Sequence, residues 1–155
     1  MRTMMVPFLV VILLAGTAHP APAQQTDEEA VRAVVDRLFE GMRTRDTTVL
    51  RSVFADEAQF YGVGQDGGVR LTAPSEFIAG IVRAPEDLLI DEVLHDVEIR
   101  IDGPLATVWT YYDLFLSDEF SHCGHDAFIL LEVHGEWKIV ALADTRRQEG
   151  CRRER

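Results

Sequence analysis

After its leader-like first segment, this 155-residue chain has no apolar run near the roughly 20 residues that a membrane-crossing helix needs, so no later helical span is expected. Basic residues are scarce: 15 Lys and Arg stand against 26 Asp and Glu, a net charge of −11. So acidic a surface repels phosphate backbones and argues against nucleic acid as a general partner. No glycine-rich phosphate loop precedes a helix, and no nucleophile elbow or serine, histidine, aspartate order occurs. No motif calls for a cofactor, and no internal repeat or low-complexity segment breaks the pattern. Cysteine is limited to Cys123 and Cys151.

What is present begins with an address. Arg2 is the only charged residue before Asp27, Val6 to Ala15 is apolar, and Ala21-Pro22-Ala23 has the small-x-small form read by signal peptidase. Cleavage is expected after Ala23, giving a secreted or periplasmic protein, with an uncleaved N-terminal anchor as the rival. Gln24, not cysteine, follows the site, so a lipoprotein is not expected. Residues 24–155 are then one domain of ordinary size with room for a single core.

Thr26-Asp27-Glu28-Glu29 has the form of a capping box, and Val31, Val34, Val35, Leu38, Phe39 and Met42 recur at helical spacing behind it. Asp46 or Thr47 can cap a second, shorter helix that buries Leu50, Val53 and Phe54. A brief strand is read at Ala58 to Tyr61, and glycines 62, 64, 67 and 68 mark a loop. Pro74 suits the first turn of a third helix carrying Phe77, Ile78, Ile81 and Val82. From Glu92 the period becomes two. Val93 to Ile101, Leu105 to Leu116, Gly124 to Val133 and Trp137 to Thr145 read as strands joined by turns at Asp102-Gly103-Pro104 and His134-Gly135-Glu136 and by a longer link at Ser117 to Ser121. Such short links force antiparallel neighbours.

The last hairpin allows a check on the cysteines. A turn at 134–136 makes facing residue numbers sum to about 270, so Cys123 faces Arg147, four residues from Cys151. A disulfide between Cys123 and Cys151 is expected in an oxidising compartment, with free thiols or a metal as alternatives. His122-Cys123-Gly124-His125-Asp126 offers zinc-type ligands, but residues three apart on a strand face opposite ways, and no metal site is expected there. Arg146, Arg147, Arg152, Arg153 and Arg155 read as a solvated C-terminal tail.

The run from Leu50 to Ala58, the strand Gly124-His125-Asp126-Ala127-Phe128, the hairpin Gly135-Glu136-Trp137-Lys138-Ile139 and the closing stretch from Ala143 through Cys151 together resemble the nuclear-transport-factor-2-like superfamily, in its SnoaL-like and putative lumazine-binding branch. The resemblance spans about Thr26 to Cys151. It implies an α+β, cone-shaped fold, with three N-terminal helices packed on the concave face of a strongly bent, mainly antiparallel sheet around a cavity. It also implies dimerisation through the outer sheet face. For activity it says little, since this fold serves isomerases, dehydratases, cyclases, hydrolases and adaptors. Among ketosteroid isomerase relatives, an acid matching Asp126 and a tyrosine bind an oxyanion while an aspartate moves the proton. Here the tyrosine position is Leu38 and the aspartate position Gly62, so steroid isomerisation by that scheme is disfavoured.

Placing Asp126 inward by resemblance sends Phe128 and Leu130 inward too. It also points to Thr107, Trp109, Tyr111, Asp113 and Phe115 as an inner row, and to Trp137, Ile139, Ala141, Ala143 and Thr145 as another. The opposite set, Val108, Tyr112, Leu114, Leu116, Ile129, Leu131, Val140 and Leu142, is too apolar for open water and suggests a homodimer, or cover by the C-terminal tail or by signal-proximal residues. The expected catalytic candidates are Asp126, Asp113 and Tyr111, since a carboxylate in an aromatic cavity should have a raised pKa and two nearby carboxylates divide acid and base roles. The expected ligand contacts are Leu38, Met42, Phe54, Phe60 and Phe77 from the first half. From the sheet come Trp109, Tyr111, Phe128 and Thr145. The functional expectation is an exported domain that binds a small, largely apolar molecule in the cone. The alternatives are a cofactor-independent hydro-lyase, isomerase or cyclase, and a non-catalytic interaction or structural domain.

Overall fold

The computed structural model describes residues 26–64 and 66–155; the expected leader and its cleavage site lie outside them. The elements run α1 (Asp27–Thr44), α2 (Thr47–Ser52), β1 (Phe54–Val63), β2 (Val69–Thr72), α3 (Pro74–Arg83), β3 (Ile90–Asp102), β4 (Leu105–Leu116), β5 (Glu119–Val133) and β6 (Glu136–Asp144). They form an α+β fold, three helices packed with one six-stranded, mostly antiparallel sheet of order β2-β1-β6-β5-β4-β3. The β1 to β6 pair is parallel, its two strands being separated in the chain by β2, α3 and β3 to β5.

The helices begin and end for local reasons. The Thr26 hydroxyl accepts from Glu29 N–H while the Glu29 carboxylate accepts from Thr26 N–H, completing the capping box. Asp46 Oδ1 caps α2 by accepting from the N–H groups of Thr48 and Val49, and Pro74 opens α3. The α1 stripe of Val31, Val34, Val35, Leu38 and Met42 is buried against the sheet, with Leu50, Ile78, Val108, Phe128, Leu130 and Ile139 closing the core. Truncating any of the larger of these to alanine removes about 2 to 5 kcal/mol.

The glycines expected to mark a loop instead belong to a hairpin. Gly62 pairs with Arg70 inside the β1–β2 ladder, and the turn falls at Asp66-Gly67-Gly68. The β5–β6 turn is the two-residue His134-Gly135, both at positive φ (53° and 80°), one residue shorter than read from the sequence.

Three bulges fix which residues face the helices. In the β3–β4 pair the register shifts between His95 and Glu98, with Asp96 at φ 52°. In the β4–β5 pair Leu114 faces His122 whereas Phe115 faces Phe120, leaving Ser121 unpaired. In the β5–β6 pair Leu130 faces Ile139 whereas Ile129 faces Ala141, leaving Val140 unpaired. One extra residue turns every later side chain of its strand to the other face.

The consequences correct the expected inner rows. Thr110 faces Asp126, so Asp126 shares its side with Val108, Tyr112, Leu114 and Leu116. Thr107, Trp109, Tyr111, Asp113 and Phe115 look the opposite way. Had Ser121 been paired, Asp126 would have met Trp109, which is the arrangement expected from uninterrupted alternation. Past Val140, Leu142 and Asp144 face inward in place of Ala141, Ala143 and Thr145.

The cysteine reasoning holds. Cys123 and Arg147 exchange both backbone hydrogen bonds at 2.9 Å, and Cys123 and Cys151 form a disulfide with Cα atoms 5.8 Å apart. The tail is not a free solvated arm. It crosses the outer face of β4, where Arg152 N–H donates to Tyr111 Oη (2.9 Å) and Glu154 N–H donates to Asp113 Oδ2 (3.1 Å). The Arg152, Arg153 and Arg155 guanidinium groups lie over the rings of Tyr111, Phe120 and Phe115. The tail thus covers Tyr111, Asp113 and Phe115, a row expected to face inward, whereas Tyr112, Leu114, Leu116 and Leu142 of the apolar set expected to need cover face the cavity instead.

Candidate functional site

Between the helices and the inner sheet face lies a cavity of about 400 Å³. Its apolar wall comes from Leu38, Phe39 and Met42 of α1, Phe60 of β1, and Phe77 and Ile81 of α3. The sheet adds Ile90, Leu114, Leu116 and Leu142. Phe60 and Phe77 meet edge to face at 4.9 Å, and Phe54 braces Phe60 from behind at 5.2 Å.

One end is polar. Glu92, Tyr112, His122, Asp126, Asp144 and Arg146 line it there, and Arg70 and Glu76 also belong to the lining, Arg70 and Asp144 both lying beside Gly62. Asp126 is 3% exposed. Burial foremost, then the charge of Glu92 and the hydrogen bond shared with it, raise its carboxyl well above the ordinary range. Glu92 keeps part of its surface open, yet its carboxyl is enclosed by protein atoms, and burial pushes it to about 7 from an ordinary 4.5 against the opposing pull of its hydrogen bond with Asp126 and the Arg146 charge. The two acids, each raised by burial, form a pair in which the protonated form is favoured. Asp144 is already engaged by Arg146 Nε at 2.5 Å. Burial lowers the His122 imidazole below its ordinary value and raises the Tyr112 phenol, so both present neutral dipoles. Tyr112 Oη–H donates to Thr145 O at 2.8 Å, which fixes the ring against the end of β6.

The raised carboxyls set a pH dependence. Each acid binds its proton more tightly folded than unfolded, so the stabilisation is complete below the unfolded value and is lost as pH rises through the folded one. Unfolding free energy is therefore expected to fall between about pH 4.5 and 7 for the Glu92 contribution. Urea titrations of Glu92→Gln across this window should show a flatter profile than the native chain. An unchanged slope would contradict the acid pair.

Of the expected contacts, Leu38, Met42, Phe60, Phe77 and Asp126 line the cavity. Phe54 and Phe128 stand in the packed core behind it, Phe128 edge-on to Phe39 at 6.2 Å. Trp109, Tyr111, Asp113 and Thr145 do not reach it. Trp109 is 50% exposed on the outer face, stacked on His125 at 5.0 Å. Tyr111 donates to Asp113 Oδ1 at 3.0 Å beneath the tail. The Thr145 hydroxyl accepts from His125 N–H at 3.0 Å at the strand end. Catalytic roles for Asp113 and Tyr111 in this cavity are thereby removed. The acid partner of Asp126 is Glu92, which sequence reasoning passed over. Its signal was parity: Glu92 alternates with Ile90 and Leu94, a charge interrupting an apolar row.

Helices resting on such a sheet, with a cavity between them, define the nuclear-transport-factor-2-like class. Within it the chain belongs to the putative lumazine-binding family, which residues 26–143 match. Solved structures agree on the fold. A nuclear-transport-factor-2-like protein of unknown function from Shewanella baltica is 22% identical over 81% of this chain and 100% of its own, with a TM-score of 0.62. One from Cytophaga hutchinsonii is 15% identical over 79% and 100%, with a TM-score of 0.67. A conserved protein from Planctomyces limnophilus is 25% identical over 78% and 98%, with a TM-score of 0.65. No curated protein matches. Among the described residues no helix is long and apolar enough to cross a membrane.

Proposed function

We propose that this protein is an exported, one-domain binder of a small, largely apolar molecule, held in the cavity with one polar group against Glu92 and Asp126. The observation that carries the reading is the pair of carboxyls, Glu92 and Asp126, both raised by burial, in the lining of an otherwise apolar hollow. A neutral carboxyl donates a hydrogen bond that a carboxylate cannot, and an enclosed apolar wall leaves a ring or chain no better place. A leader cleaved after Ala23, residues 24–155 as the mature domain and a disulfide suited to an oxidising compartment support export. Association of two copies through the outer sheet fits the exposed Trp109, Leu105, Ile129 and Leu131 beside the tail.

Native mass spectrometry of protein from its own host, with a thermal-shift screen of ring-containing metabolites, tests this. A retained ligand or a raised Tm is expected, since ligand at a hundred times its Kd adds about 2.7 kcal/mol. Asp126→Asn should weaken that ligand at least about tenfold, the scale of one disrupted hydrogen bond in a buried site. Ligand-free spectra and no shift from any compound would overturn the proposal.

The value of about 7 for Glu92 favours a second reading, cofactor-independent acid-base catalysis of a hydro-lyase, isomerase or cyclase type. Glu92 would take a proton and Asp126 would donate one. Under this reading Asp126→Asn abolishes turnover of the bound compound. Under simple binding only affinity falls.

A further inference from the structure

The polar end of the cavity is short of positive charge. Its lining holds four carboxyls, Glu76, Glu92, Asp126 and Asp144, against two guanidinium groups, Arg70 and Arg146. Both arginines stand by one acid: Arg146 Nε donates to Asp144 Oδ2 at 2.5 Å, and Arg70 and Asp144 lie together beside Gly62. On its other flank Glu92 borders a shallow groove with Asp91 and with Arg32, Asp36, Glu40 and Arg43 of α1. Those arginines are taken as well, Arg32 by Asp36 and Arg43 by Glu40. No ion pair among the described residues includes Glu92 or Asp126. Each has the other as its side-chain hydrogen-bond partner, and Asp126 is only 3% exposed. Folding therefore sets two acids side by side, out of water, with no protein cation bound to either.

Such a pair can be satisfied in two ways. A protonated carboxyl can give a hydrogen bond to a ligand oxygen, or the pair can give up its proton to solvent and take a ligand that brings its own positive charge. The hydrogen bond within the pair uses one carboxyl hydrogen, and the oxygens left over are acceptors. The nearby Tyr112 phenol does not supply them, since its O–H is committed to Thr145 O. A primary ammonium matches this surplus: its N–H donors reach both carboxyls from one atom, and its charge is the partner each acid lacks. The walls suit the rest of the molecule. Phe60, Phe77 and Tyr112 present rings, which attract a cation within about 6 Å of their centres, and Leu38, Met42 and Leu114 take carbon. Both acids leave water during folding, so the site is preorganised and their desolvation does not fall on binding.

We infer that the molecule held in this cavity is an apolar primary amine, its ammonium seated between Glu92 and Asp126; the inference rests on the binding role proposed above. As the ammonium enters, the proton held by the pair leaves to solvent, so binding and proton release are linked. Tyr112 on β4 is raised by burial and His122 on β5 is lowered by it, so both stay neutral through this exchange, and Arg146 stays charged. The other charged groups of the lining are Arg70 on β2, Glu76 on α3 and Asp144 at the end of β6, while α1 brings only Leu38, Phe39 and Met42 to it.

Calorimetric titration with three probes of similar shape tests this: naphthylmethylamine, naphthylmethanol and naphthoate. At about pH 7 the amine is expected to bind at least about tenfold more tightly than the alcohol, the scale of one hydrogen bond to a charged group, and naphthoate more weakly than either. Heats measured in buffers of different ionisation enthalpy should show protons released with the amine and not with the alcohol. Amine affinity should climb from about pH 5.5, by up to about tenfold per unit, and level off as pH passes the Glu92 value of about 7. Glu92→Gln should flatten that climb and weaken the amine at least about tenfold more than the alcohol. The ranking of the probes on the native chain needs no variant. An alcohol bound as tightly as the amine, or an amine affinity that falls as pH rises, would overturn the inference and leave the apolar-binding role standing. Binding of none of the probes would overturn it as well, while the wider role is judged by the metabolite screen.

Discussion

Gly124→Ala is expected to destabilise the protein by more than about 3 kcal/mol, beyond the usual range for overpacking. A Cβ on Gly124 would lie 1.7 Å from Thr145 O and 2.8 Å from Tyr112 Cε1. The first obstacle is backbone and cannot rotate away. Thr145 is held by its N–H bond to His125 O at 3.0 Å, and its carbonyl accepts from the Tyr112 phenol. A methyl group there must push the end of β6 off β5 or unseat Tyr112 from the cavity wall. Urea unfolding measures the loss. A change below about 1 kcal/mol would show that the strand end yields freely, contrary to these hydrogen bonds.

Cys151→Ser should remove about 3 to 4 kcal/mol, the loop-closure entropy of a cross-link between residues 28 apart. The loss arises mainly in the unfolded chain, so the urea m-value should rise as the native contacts stay largely in place. Equilibrium unfolding beside the oxidised native chain checks both quantities. A loss below about 1 kcal/mol would mean that the tail's hydrogen bonds and stacked arginines, not the covalent link, restrain the C-terminus.

The helices, their caps and β4 were legible because each depends on near neighbours. The capping box at Thr26, the aspartate at 46 and the proline at 74 act within one turn. The disulfide was legible because the two-residue turn and the extra residue Val140 offset each other, leaving Cys123 opposite Arg147 as a three-residue turn would. Half the candidate site was not. Asp126, Leu38, Met42, Phe60 and Phe77 were found, but Trp109, Tyr111 and Asp113 were assigned inward and Glu92 was missed. Alternation gives which residues of one strand go together. It does not give which row of the next strand joins them, since that depends on an odd or even offset set by bulges. Ser121 and Asp96 are ordinary in sequence, and neither announces a bulge.

The unpaired residue at Ser121 also bears on kinship. Losing or gaining a single codon there would reverse the whole of β5 beyond it, exchanging the residues that meet a ligand with those that meet solvent or the tail. Two relatives with the same fold can thus differ in every contact along that strand while differing little in identity. When roles are carried between them, a gap set on the wrong side of position 121 transfers each one through the sheet to its opposite surface.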